Sequence, residues 1–158
     1  GAITVLSGSL IVSKFLLEAV VDLGWPVAVV DPDRARLDAD PVPYARTYAS
    51  VAEAGLDDGC DVVVCDHDRP ELGDVLAEAL AGPSRWVGVM GSLRHTAPHV
   101  AALKERGVPP EQIARVHRPI GLDIGSKMPA EIALSTVAGL LADRNGKAGG
   151  AFPTASTP

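Results

Sequence analysis

The sequence predicts an α/β fold, a doubly wound and mostly parallel sheet with helices on both faces. Three observations carry this. Short apolar runs alternate with helical apolar stripes along the chain. The runs are solid, most clearly Val62-Val63-Val64, as strands buried on both faces require. The polar segments that could carry chemistry fall at the carboxyl ends of those runs, where ligands sit in such sheets.

The elements follow in order. Residues 2–6 form a short strand. Ile11, Val12, Phe15, Leu16, Ala19, Val20 and Leu23 make a helical stripe that Gly24 ends. Residues 26–30 are a second strand, ending at Asp31. The run 32–43, rich in Asp, Arg and Pro, reads as loop. Residues 44–48 suit a short edge strand, and 61–65 the strongest one. Leu72, Val75, Leu76, Ala79 and Leu80 line the next helix, and 85–90 the next strand. Leu93, Ala97, Val100, Ala101 and Leu103 line a helix closed by Gly107. A helical turn at 109–113, a short strand at 114–117 and a last helix lined by Ile132, Ala133, Val137, Leu140 and Leu141 complete the chain. Strands regularly interleaved with helices give a Rossmann-like layout in one domain, residues 1–146. The small, polar stretch 147–158 reads as a disordered tail.

Bulk properties narrow the function. A net charge of -6 and a pI near 5.1 argue against a nucleic-acid surface. No apolar run reaches the ~18 residues of a membrane span, and the first residues lack a basic leader region. Cys60 and Cys65 are too few for a disulfide framework, so a cytoplasmic setting is expected.

Four segments carry candidate chemistry. At the first strand-to-helix turn, Ser7, Ser9 and Val12 stand where a dinucleotide fingerprint has glycine or alanine, with Gly8 between. Serine hydroxyls at a helix start can still meet an anion. Asp31 stands where a ribose-binding carboxylate would, so NAD(P) is one expectation. After the central strand, Asp66-His67-Asp68 suits ligand binding or proton transfer. As metal ligands, three successive loop residues are a weak pattern. Alternatively Asp68 caps the following helix. Cys65 is either a thiol ligand or a small core residue, and Cys60 reads as inert. Gly91, Ser92 and Arg94 combine a close backbone approach, a hydroxyl and a guanidinium, a set that suits phosphate. The alternative is a Ser92 cap and a solvated Arg94. His99 reads as a surface residue, and His117 as lining the crevice or packing against it.

The fourth segment is the loop 118–128. Gly121 and Gly125 flank Asp123, and Pro129 opens a helix, so the loop ends where free amides can meet an anion. The alternative is that the glycines only turn the chain. Met128 is then the N-cap and cannot accept as Ser, Thr, Asp or Asn would, while Glu131 can reach back.

These residues resemble a known family. His117 followed by Arg118 through Ala133 is similar to the R-I-H-x-P-I-G-L-D-I-G-x-x-T-P-x-E-I-A signature of the XdhC/CoxI family. Val87 to Arg94 resembles its V-G-x-x-G-S-R-R turn, and His67-Asp68 its T-H-D. The likeness runs over roughly 60–145 and corresponds to the family's C-terminal Rossmann-like part standing alone. Three positions depart from the pattern: Ser7-Gly8-Ser9-Leu10 for G-A-G-H, Leu93 for the first arginine, and Met128 for the cap threonine.

The resemblance implies a non-catalytic accessory factor for a molybdenum hydroxylase of xanthine dehydrogenase or carbon monoxide dehydrogenase type. It implies binding of the molybdenum cofactor, a phosphorylated pyranopterin, and its delivery to the apoenzyme. A cysteine desulfurase and a second copy of the chain are further implied partners. Gly91, Ser92 and Arg94 would hold phosphate, and His67, Asp68, Gly121, Asp123 and Gly125 would shape the pterin pocket. The rivals are an NAD(P)-dependent oxidoreductase using Asp31, and a ligand-free scaffold.

Overall fold

The computed structural model describes residues 3–6, 10–91 and 97–154. The strands are β1 (Ile3–Leu6), β2 (Val27–Val30), β3 (Arg46–Tyr48), β4 (Asp61–Val64), β5 (Trp86–Val89) and β6 (Val116–His117). The helices are α1 (Leu10–Asp22), α2 (Arg34–Ala39), α3 (Val51–Ala54), α4 (Leu72–Ala81), α5 (Pro98–Glu105), α6 (Pro110–Ile113) and α7 (Pro129–Arg144). The strands make one sheet in the order β3-β2-β1-β4-β5-β6, and every pairing is parallel. This is the doubly wound Rossmann arrangement.

Period-two alternation divides the sheet between two apolar layers. Val27, Val29, Val63, Cys65, Trp86 and Met90 face α1 and α7, packing on Leu16, Leu17, Val20, Val137 and Leu140. Val30, Val62, Val64, Val87 and Val89 face the other way, onto Val51, Leu72, Val75, Leu76, Leu103 and Ile113 of α3 to α6. Both faces are covered, which is why the strands carry solid valine runs.

Two helices depart from the sequence reading. The run 32–43 is not all loop, because it contains α2. Asp33 caps that helix, its carboxylate accepting from the Arg36 amide at 3.3 Å, and Leu37 buries beneath it. The polar composition hid a cap and a single apolar anchor. The second is α3, started by two side-chain caps. Ser50 Oγ accepts from the Glu53 amide at 3.2 Å, and Glu53 Oε2 accepts from the Ala49 amide at 3.2 Å. The Ser50-x-x-Glu53 spacing carried that signal.

An ion cluster pins the amino ends of the strands. Asp61, at the start of β4, is fully buried. Its Oδ1 accepts from Arg85 Nε at 2.8 Å and its Oδ2 from Arg144 Nε at 2.8 Å. Arg144 also donates to the Gly59 carbonyl at 2.7 Å and lies 4.7 Å over the Trp25 ring. Arg85 reaches Asp143 as well. The last turn of α7 is thereby tied to the amino ends of β4 and β5. α7 must then start at the opposite pole, so Pro129 and the loop 118–128 stand at the carboxyl ends of the strands.

Candidate functional site

β1 pairs with β2 on one side and β4 on the other. The connections leave in opposite directions there, so the crevice of the fold opens between the carboxyl ends of β1 and β4. Ser7, Gly8 and Ser9, which follow β1, lie outside the described residues, as do Ser92 and Arg94 after β5.

Asp31 follows β2 and is fully buried. Its Oδ1 accepts from Arg69 Nη2 at 2.7 Å and from the Asp33 amide at 2.9 Å. The Arg69 side chain is itself buried and also reaches Glu71 Oε2 at 3.3 Å. The carboxylate that sequence alone offers to a ribose is therefore engaged inside the fold, bracing the β2 end against the loop after β4. Nothing local in the sequence marks Arg69, because only the strand order brings it to Asp31.

In that loop, Asp66 Oδ1 accepts from the Asp68 amide at 2.9 Å and shapes the turn. His67 is partly exposed, with Nε2 3.5 Å from Asp68 Oδ1. Asp68 is exposed and does not cap α4, whose N-cap is Glu71. Cys65 is buried in the α1 and α7 layer. Burial, aided by the Asp66 charge and opposed by Ser13, pushes its thiol up to about 12. A thiol so held stays protonated and behaves as a core residue. Cys60 is buried too, donating to Asp57 Oδ1 at 3.2 Å.

Gly91 ends the β5 segment against Arg118, the residue after β6. A Cβ at Gly91 would come within 2.7 Å of Arg118 Nη2, so only glycine lets the guanidinium lie against this backbone. His99, in the first turn of α5, is buried rather than on the surface, at 5% exposure. It lies four residues before buried Leu103, on the inward stripe of the helix. Its Nδ1 is buried without a hydrogen-bond partner. Burial and the Arg118 charge hold its imidazole below the usual histidine range. Arg118 was legible from its place just past a strand end. The signal for His99, read as a surface residue from its polar neighbours, is its four-residue spacing to Leu103.

The loop 118–128 docks on α7 backbone to backbone. Gly121 has φ +89, and a Cβ there would stand 2.5 Å from Ser135 Oγ and 3.0 Å from the Ser135 carbonyl carbon. A Cβ at Gly139 would stand 2.9 Å from Gly121 Cα. Ser135 Oγ donates to the Leu122 carbonyl at 2.6 Å, and the Leu122 amide returns a bond to the Ser135 carbonyl at 3.2 Å. Gly121 thus supplies close packing. Gly125 has φ +72 in open space, and Asp123 is exposed. The Arg118–Pro119 peptide is cis.

Glu131 reaches back across the start of α7. Its Oε2 accepts from the Lys127 amide at 2.9 Å and from the Met128 amide at 3.1 Å. The two bonds, that from Lys127 the stronger influence, hold its carboxyl below the usual range. The stabilisation is present above the unfolded carboxylate pKa and is lost as pH falls through the depressed folded value. Amide-exchange protection at Lys127 and Met128 is expected to drop in acid, and Glu131→Gln to abolish that pH dependence. Protection that stays flat in the wild type would show that the carboxylate does not hold this cap.

A cavity of about 220 Å³ lies elsewhere, beside β6, between residues 119–122 and the second half of α7. Trp86 and His117 form one wall, stacked at 5.0 Å and 10°. Gly121 lines it, but Asp31, His67, Asp68, Gly91, Asp123 and Gly125 do not. Residues 147 and 148 also line this cavity, and a Cβ at Gly149 would meet Leu122 at 2.6 Å, so the chain after α7 folds back against the loop.

Among the described residues no three His, Cys, Asp or Glu side chains are grouped to hold a metal ion, and no helix is long and apolar enough to cross a membrane. The chain is similar to the Escherichia coli protein YqeB, 31% identical over 98% of this chain and 29% of the relative. It is also similar in fold to a Bacillus halodurans chain crystallised as a xanthine dehydrogenase. The TM-score is 0.72 at 20% identity, over 99% of this chain and 45% of the other. The chain thus spans under half the length of either relative. Residues 4–140 match the family described as the XdhC Rossmann domain, and the chain belongs to that family.

Proposed function

We propose that this chain is the cofactor-holding module of a molybdenum hydroxylase maturation factor. It binds the molybdenum cofactor across the carboxyl ends of its strands and passes it to the apoenzyme. The observation that carries this reading is membership of the XdhC Rossmann-domain family. The residues present fit the cofactor's anionic end. The Arg118 guanidinium, lying against the Gly91 backbone, and the orphan Nδ1 of His99 lie near the start of α5. His67 and Asp68 stand at the end of β4 to meet the pterin, with Asp123 and Gly125 in the loop after β6.

The cofactor supplies its metal chemistry in the recipient enzyme. This chain contributes binding, orientation and protection, so it needs no catalytic residue of its own. The inward pairing of Asp31 with Arg69 weighs against a nicotinamide dinucleotide, whose ribose would have to displace a buried ion pair.

Anaerobic titration tests the reading. Cofactor released from a purified molybdenum hydroxylase is expected to bind the chain, while NAD(P)H shows no micromolar binding under the same conditions. Nicotinamide binding without pterin binding would overturn it.

A further inference from the structure

We infer that Gly91, His99 and Arg118 form a recess for a phosphate-class dianion, between the carboxyl end of β5 and the start of α5. Three independent features converge there. Gly91 is the position at which a side chain would strike the Arg118 guanidinium, so the cation lies flush with the backbone of the turn. His99 is nine-tenths buried, and its Nδ1 has no partner. A buried polar atom left unpaired costs stability, which marks a place where a ligand atom completes the structure. Third, α5 begins on Ala97, whose side chain offers no acceptor; Pro98 has no N–H and the Val100 amide bonds the Ala97 carbonyl, which leaves the His99 amide of the first turn.

The charge balance has the same sense. Burial first, and the Arg118 charge in addition, disfavour a positive charge on His99. A dianion between Arg118 and His99 reverses that repulsion and lets the imidazole donate. A guanidinium and an imidazole are donor types that suit a phosphate dianion.

This deepens the cofactor reading by naming the residues that take its phosphate. It rests on that reading only for the identity of the phosphate carrier. The test therefore uses inorganic phosphate on the full chain, at ionic strength fixed with chloride, read by the side-chain nitrogen NMR resonances of histidine. Saturable displacement of the His99 Nδ1 resonance is expected, with His67 and His117 unmoved. Arg118→Gln, at a partly exposed position, should weaken phosphate binding by at least about tenfold with the thermal melt unchanged. Gly91→Ala, which displaces the guanidinium, should do the same. A silent His99 resonance, or an Arg118→Gln protein that titrates like the wild type, overturns the inference. Phosphate binding with these signatures, but no pterin binding, would leave the recess standing and remove the proposed cofactor. Pterin binding unaffected by Arg118→Gln would do the reverse.

Discussion

Asp61→Ala is expected to cost the fold about 3–5 kcal/mol, the largest effect of any single substitution at an ionisable residue here. The cause is asymmetric. Asp61 is fully buried and is the shared acceptor of Arg85 and Arg144. Removing it leaves two guanidinium groups, at 27% and 19% side-chain exposure, without the carboxylate they share, and only Arg85 keeps a second one, Asp143. Arg144 would also lose the hold that seats it on Trp25 and the Gly59 carbonyl. Urea unfolding should show a lower midpoint at an unchanged slope, and a melting temperature down by about 10 °C. Asp61→Asn keeps an acceptor and should lose less. An Asp61→Ala protein as stable as wild type would mean that the amino-end cluster is not what anchors α7.

Gly121→Ala should have the second large effect, through two additive costs. A φ of +89 disfavours any side chain by about 1–2 kcal/mol. The new methyl would also press on Ser135, backbone included, at a site with no flexible neighbour to yield, adding roughly 1–3 kcal/mol of overpacking. The loop 118–128 should then lift from α7. The exchange protection of the Leu122 amide, bonded to the Ser135 carbonyl, is the local readout. Gly125→Ala, with φ +72 and open space, should pay the conformational cost without the steric one. Equal destabilisation by the two substitutions would contradict the docking account.

That contrast shows how far the site could be read in advance. Two glycines around Asp123 mark a shaped loop in the sequence, and the left-handed angles at both are the physical reason. Sequence alone could not separate their duties. Gly121 meets Gly139 eighteen residues away along the chain, a contact that exists only once α7 turns back beneath the loop. The strands were legible because burial on both faces demands solid valine runs. The short helices α2 and α3 were less so, since each buries a single residue and is held mainly by its cap. His99 resembles a surface residue in a polar neighbourhood, and its burial emerges only from its register with Leu103. Asp31 stands where a ribose carboxylate would, yet Arg69 reaches it from a loop thirty-eight residues on. Long-range pairs of that kind follow from strand order, which local sequence does not encode.

The most direct measurement is the pterin content of the chain itself. The protein would be purified from a host that makes the molybdenum cofactor and, in parallel, from one blocked in its synthesis. Each sample is denatured and oxidised, and the fluorescence of the released pterin is recorded per chain. Near-stoichiometric pterin from the first host alone, strongly reduced by Arg118→Gln, is the predicted result. A folded chain that carries no pterin from the cofactor-producing host, and takes up none when cofactor is added anaerobically, would contradict the proposed function.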